Sequence, residues 1–266
     1  MKHRIVVLVS GLILLAGCEA ITDFYLGVPL QPKIEDNNYL PGLNVFGVIR
    51  PDQIDSINRS FLQVEEVAPA VGNYPEFTID SLVVTDALVA VQDDSGNTIS
   101  FSYSPVTSTD FSKRYRPIAY FQPQAGKIYA LNCQSEGLPE IQASTRMPYP
   151  PKIIESSLLV DSYSVSFELS QDTTAFLYEA FLYCGTDLAG HALTEAMVGK
   201  NSIIHIELSQ PNPDRLEVYA YDSNMASYIL NSNTSFNLNK YRKAFGNLKN
   251  GYGVFGSLNF VLYTLP

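Results

Sequence analysis

From Leu43 onward the chain is written in short apolar runs of period two, broken at intervals of roughly ten residues by Gly, Pro, Asn or Asp. That pattern makes strands and leaves little room for helices. Runs at 43–49, 61–67, 81–91, 98–103, 118–121 and 128–133 are rich in β-branched and aromatic residues and predict a β-sandwich over residues 41–147. Between two of them, Gln92-Asp93-Asp94-Ser95-Gly96-Asn97 has the oxygen-rich look of a calcium loop. No closing Glu lies downstream at the distance such a loop needs. It reads instead as a hairpin turn, with Gly96 supplying the positive φ.

Met147-Pro148-Tyr149-Pro150-Pro151 interrupts the strands, because each proline lacks an amide donor and holds the backbone extended. Residues 148–152 are therefore expected to be a stiff linker to a second β-sandwich over 153–266. There Tyr163, Val165, Phe167 and Leu169 alternate with polar residues, and 176–184 is apolar on both faces apart from Glu179, as a central strand would be. Ile204, Ile206 and Leu208, then Leu216, Val218 and Ala220, give two more half-buried strands.

Asp222 or Ser223 can cap a short helix with Met225, Tyr228 and Ile229 on one face, placed to close one end of the sandwich before the last strand, 257–265. The glycines of Asn250-Gly251-Tyr252-Gly253-Val254-Phe255-Gly256 let the backbone turn or approach a neighbour closely. A phosphate-binding loop would open a helix, whereas the residues after Gly256 read as strand. The fold class expected is thus all-β: two sandwiches, the second with one short helix.

The amino terminus sets the address. Lys2, His3 and Arg4 precede an apolar run over 5–15, and Leu15-Ala16-Gly17-Cys18 then has the form of a bacterial lipoprotein cleavage box. Residues 1–17 are read as a signal peptide. At about 1.5 Å per residue the run covers roughly half of a ~30 Å hydrocarbon core, too little to span it. Cys18 is the lipidation site, and 18–40, polar and proline-bearing, is the tether. Two or three acyl chains on Cys18 give lasting attachment where one alone would be marginal.

Residues 1–17 hold two of the 17 basic residues and none of the 27 acidic ones, so residues 18–266 carry a formal net charge of −12. That excludes nucleic acid as a partner and excludes charge as the means of holding an anionic membrane. Cys133 and Cys184 belong to no Cys-x-x-Cys pair. They read either as two buried free thiols or as a disulfide between the two sandwiches.

The Cys18-Glu19 lipobox, a first strand soon after a short tether, the Asp94-Ser95-Gly96-Asn97 turn, the Met147-Pro148 boundary and above all the closing segment from Asn247 to Gly256 resemble a known family. It comprises lipoproteins of Bacteroidota catalogued as domain of unknown function 4249. The resemblance spans nearly all of 18–266, and this chain is shorter than the pattern before the final helix. It implies an immunoglobulin-like first domain, a second β domain, an outer-membrane location and association with TonB-dependent transporters. It supplies no catalytic or binding residues.

Nothing in the sequence assembles an active centre, so no enzyme, cofactor or metal is expected. His191 and His205 lie in no zinc-ligand pattern, and no Gly-x-Ser-x-Gly elbow is present. His205 with Glu207 is the one His–carboxylate pair at useful spacing, on what reads as a solvated strand face. The remaining acids fall in turns (Asp52, Asp55; Asp93, Asp94) or beside each other (Glu65, Glu66), as solvated carboxylates do. The 17 tyrosines offer rings for stacking on glycans, but Trp is absent and Tyr129, Tyr163, Tyr178 and Tyr219 sit at expected core or half-buried positions. The function expected is a non-enzymatic, lipid-anchored accessory of an outer-membrane transport system; the alternative is a surface protein that binds a glycan or peptide.

Overall fold

The computed structural model describes residues 42–54, 57–67, 82–104, 113–232 and 246–265. The signal peptide, Cys18, the tether, Asp55 and Ser81 lie outside them. The first half contributes β1 (Leu43–Ile49), β2 (Gln53–Ile54), β3 (Ile57–Asn58), β4 (Phe61–Glu66), β5 (Leu88–Asp93), β6 (Thr98–Ser104), β7 (Arg114–Pro117), β8 (Ile128–Gln134) and β9 (Ile141–Arg146). The second contributes β10 (Leu159–Val160), β11 (Ser164–Leu169), β12 (Leu177–Cys184), β13 (Asp187–Glu195), β14 (Ser202–Glu207), β15 (Arg215–Tyr221), helix α1 (Ser223–Ser232) and β16 (Tyr252–Thr264). The protein is all-β, as its period-two patterning requires.

Alternation places the cores. In β8, Tyr129, Leu131 and Cys133 point inward while the residues between them are exposed. They join Leu43, Val45, Leu62, Val89, Phe101 and Ile141 in a first core. Val165, Phe167, Leu182, Ile204, Leu216 and Val218 form a second.

Strand order repeats between the halves. In the first, β1 and β4 form one layer and β6-β5-β8-β9 the other, with β7 bonded to both. In the second, β10-β11-β14 faces β13-β12-β15-β16 across the second core. Both halves pack two layers of strands over a core, a β-sandwich-like arrangement. Tyr129, at the start of β8, accepts a hydrogen bond from the Gln124 amide at 2.7 Å, the corner contact that fixes the turn into this strand in such sandwiches.

The halves are joined through β16. Residues 252–257 pair in parallel with β1, from Asn44↔Tyr252 to Ile49↔Ser257, and residues 258–264 pair antiparallel with β15. One strand therefore serves both sandwiches, and a third cluster of Val48, Leu177, Tyr221, Met225, Val254 and Leu258 lies at the handover. The expected boundary at 148–152 does not divide the sheet, and Phe255 from beyond it packs into the first core. The first sandwich takes its last strand from residues beyond that boundary.

The opposite edge of residues 252–257 is sewn to β9 by side chains. Asn247 Oδ1 accepts from Phe255 N at 2.9 Å, and its Nδ2 donates to Phe255 O and Ser144 O at 2.8 and 3.0 Å. Asp222 Oδ1 accepts from Ser257 N (3.1 Å) and Met225 N (3.0 Å), and its Oδ2 from Thr145 Oγ1 (2.7 Å). Ser257 Oγ donates to Arg146 O at 2.9 Å. Asp222 thus caps α1 and holds the seam at once. Burial pushes its carboxyl above the ordinary value, while the Met225, Thr145 and Ser257 donors pull the other way.

Several expected elements differ. Residues 82–87 and 118–121 are not strand: β5 begins at Leu88, and the strand before β8 is Arg114–Pro117, whose charged alternation hides it from an apolar pattern. β16 starts at Tyr252 rather than 257, because its first half replaces side-chain periodicity with glycines that allow close approach. Tyr163 is 82% exposed rather than inward, since Asp161 accepts from its amide and closes a turn before β11. Phe176, expected within the central strand, precedes β12 and is half exposed. Cys133 and Cys184 are both free thiols, which removes the disulfide alternative, and burial pushes the Cys133 thiol up to about 12.

Gly96 and Gly253 both have positive φ, +88° and +98°, but only Gly253 is hemmed in: a methyl there would lie 2.2 Å from the Val45 carbonyl oxygen. Gly96→Ala is expected to cost about 1 kcal/mol and Gly253→Ala at least about 3 kcal/mol in denaturant unfolding. Equal losses would refute the close parallel approach of β1 and β16. Asp222→Ala, which strands the Ser257 and Met225 amides, is expected to cost about 3 kcal/mol by the same measurement.

Candidate binding face

The sheet β13-β12-β15-β16 buries one face against the second core, and alternation turns the other outward. Along β12 the outward residues are Glu179, Phe181 and Tyr183; along β15, Arg215, Glu217 and Tyr219, with Tyr221 on the same side but buried in the third cluster. β13 adds His191 and Leu193, and β16 adds Phe260 and Leu262. Cross-strand register sets Leu193, Glu179, Tyr219 and Phe260 in one row and His191, Phe181, Glu217 and Leu262 in the next.

The rings pack on one another. Phe181 lies 4.7 Å from the His191 ring and meets Tyr219 edge-on at 5.9 Å, while Tyr219 stacks on Phe260 at 5.7 Å. The Arg215 guanidinium covers the Tyr183 ring at 4.4 Å. Such pairs add to area burial and rigidify the surface. Two carboxylates pin it further. Glu179 faces His191 Nε2 at 2.9 Å and accepts from the Tyr221 hydroxyl; Glu217 accepts from the Tyr219 hydroxyl at 2.8 Å and pairs with Arg215 at 3.1 Å. Burial first, and then the carboxylate beside each, pushes the Tyr219 and Tyr221 hydroxyls above their ordinary range, so both remain donors.

What this arrangement can do is contact another surface. The ring faces of Phe181, Tyr183 and Tyr219 are already covered by neighbours, so they do not offer the flat open ring that stacks on a sugar. Tyr and Arg held rigidly at the centre of a patch, with Leu262 57% exposed beside them, are the residue types that dominate protein interfaces.

The sequence-flagged groups are placed elsewhere. His205 Nδ1 takes Ser166 Oγ at 2.7 Å and not Glu207; both residues stand exposed on β14. His191 does meet a carboxylate, Glu179, through a cross-strand diagonal that spacing along one strand does not disclose. No Ser, Thr or Cys hydrogen-bonds to His191 among the described residues. Asp52 is taken by Arg50 and Arg59, and Glu65 accepts from Gln63. Among the described residues no three of His, Cys, Asp or Glu are grouped to hold a metal.

The Asp93–Asn97 segment is the hairpin turn between β5 and β6. Asp93 accepts from the amides of Ser95 and Asn97 and from Asn97 Nδ2, each at 2.9 Å. The Asn97 side chain is the main reason its carboxyl is pushed down to about 2.

No family model matches the chain, and no curated protein matches it. A solved structure of a DUF4785 family protein from Legionella pneumophila shares 12% identity over 69% of this chain and 54% of its own length, with a TM-score of 0.26. The chain thus spans about half of that protein, and a likeness this distant carries no argument about fold or activity.

A carboxyl NMR titration is expected to give Asp93 a midpoint near 2, and Asn97→Ala to move it toward 3.8. Because the folded value lies below the ordinary one, the turn's electrostatic contribution is complete above about pH 4 and is lost as pH falls toward 2. An unshifted midpoint in Asn97→Ala would show that another group holds the carboxylate.

Proposed function

We propose that the chain is a non-enzymatic lipoprotein of the Bacteroidota family it resembles, anchored in the outer membrane through acyl chains on Cys18. In this reading it docks on a TonB-dependent β-barrel transporter through the aromatic face of its second sandwich. The observation that carries the reading is that face: Phe181, Tyr183, Tyr219 and Arg215 are held half-buried by ring and carboxylate contacts, with His191 and Leu262 exposed beside them. Supporting it, the −12 charge of residues 18–266 disfavours adhesion to anionic lipid, so a protein is the better match for an apolar patch near the membrane. The lipobox supplies the address, and the face supplies the contact.

The test is gentle detergent extraction of the tagged lipoprotein from its own cells, with co-purified proteins identified by mass spectrometry. A β-barrel transporter is expected in reproducible stoichiometry. The double variant Phe181→Ala, Leu262→Arg is expected to weaken its recovery roughly thirtyfold, the size of a lost hot spot, without altering membrane attachment. Cys18→Ala is expected to move the protein to the soluble fraction. Recovery of no β-barrel, or equal recovery with the double variant, would overturn the docking role; an unmodified Cys18 in the native protein would overturn the anchor.

A further inference from the structure

A second place on the molecule has the opposite character to the aromatic face. At one end of the first sandwich, between the β5–β6 turn and the segment 120–124, lies a shallow cleft of about 180 Å³. Its floor is formed by Phe121 and Tyr129, whose rings meet edge to face at 5.9 Å. The tyrosine-corner bond from Gln124 N to the Tyr129 hydroxyl fixes the wall above them. At this volume, well under the roughly 300 Å³ where drug-sized pockets begin, it takes one small ring.

The chemistry at the rim is selective. Asp93 and Lys127 are its charged groups, and they are spent on each other and on the turn: Lys127 Nζ lies 3.4 Å from Asp93 Oδ2 and 3.0 Å from Ser95 Oγ, and Asp93 already accepts from three turn donors. What remains open is uncharged. The Gln124 side-chain amide forms no hydrogen bond among the described residues, and Gln122 uses only its oxygen, accepting from the Tyr120 hydroxyl. Each amide can both donate and accept.

Tyr120 completes the set. Three tyrosines are more than half exposed among the described residues, Tyr120 at 71%, Tyr149 at 52% and Tyr163 at 82%. Of these only Tyr120 borders the cleft, and among the described residues no aromatic ring packs on it. Tyr149 leans its hydroxyl over Gly126, and Tyr163 stands on the turn before β11.

We infer that this cleft binds a single pyranose ring of a neutral carbohydrate, its C–H face on Tyr120 and its hydroxyls on the amides of Gln122 and Gln124. A neutral polyhydroxylated ring is what an open aromatic face plus uncharged donor-acceptor groups recognise. An anion or cation would have to displace the Asp93–Lys127 pair. The inference is independent of the docking role, which uses the other sandwich.

The experiment is saturation-transfer NMR on the full-length lipoprotein in detergent, with methyl α-glucopyranoside, methyl α-mannopyranoside, methyl β-galactopyranoside and N-acetylglucosamine as probes and N-acetylglycine amide as the peptide control. Transfer to at least one sugar is expected, with a Kd in the range of about 1 mM typical of one ring. Tyr120→Ala and Gln124→Ala, both at exposed positions, are each expected to weaken it roughly tenfold, while Tyr163→Ala and the Phe181→Ala, Leu262→Arg face variant leave it unchanged. Silence from all four sugars, transfer to the peptide control alone, or equal transfer in Tyr120→Ala would overturn the site. Loss of transporter recovery with sugar binding intact would bear on the docking role only.

Discussion

The parallel pairing of β1 with the first half of β16 is the contact on which the rest of the structure depends. A strand arriving from the far end of the chain closes a sandwich built by its beginning, and its continuation closes the other. Two devices make this possible. Glycines at 47, 251, 253 and 256 let backbone and side chains approach where a Cβ would collide. Asn247, Asn224 and Asp222 then present side-chain donors and acceptors to the strand's other edge, in place of a neighbouring backbone. Without those groups several buried amides and carbonyls would lose their partners, at a cost comparable to a sizeable share of a domain's net stability.

The same strand carries the seam and the outward face. Leu258 packs at the handover, and two residues on, Phe260 stacks on Tyr219; Leu262 lies further along the same side. β1, the first strand after the proposed anchor and tether, is thereby hydrogen-bonded to the strand that displays the proposed docking surface. β16 thus carries one continuous backbone from the β1 ladder into the β15 ladder.

Much of the fold was legible, and the failures have physical causes. β8 and β11 were readable because each buries one face and period two records that burial directly, and β1 and β12 because they are short, densely apolar runs. The cap at Asp222 and the turn at Gly96 were readable because single residue types satisfy those geometries. β7 and β13 were not: Arg-Tyr-Arg-Pro and Asp-Leu-Ala-Gly-His-Ala-Leu-Thr-Glu lack the β-branched density of a strand, and tertiary packing decides them. The sharing of β16 was hidden because glycines report close approach without saying to what. Pairings across strands escape a one-dimensional reading altogether, so Glu179 could be placed on a central strand while its partners His191 and Tyr221 could not be named. The tyrosines illustrate both sides: Tyr129 and Tyr178 are core, as alternation implies, whereas Tyr120, inside the 118–121 run expected as strand, lies outside any strand and is exposed.

The central claim, that both sandwiches hang on one shared strand, is tested most directly by native-state hydrogen exchange. If the claim holds, the amides of β1 and of β16, in both its halves, open together at the same free energy and lose protection together in increasing denaturant. If the protection of residues 252–257 is lost while β1 and the core strand β8 stay closed, the strand is an accessory laid on a finished sandwich, and the claim is wrong.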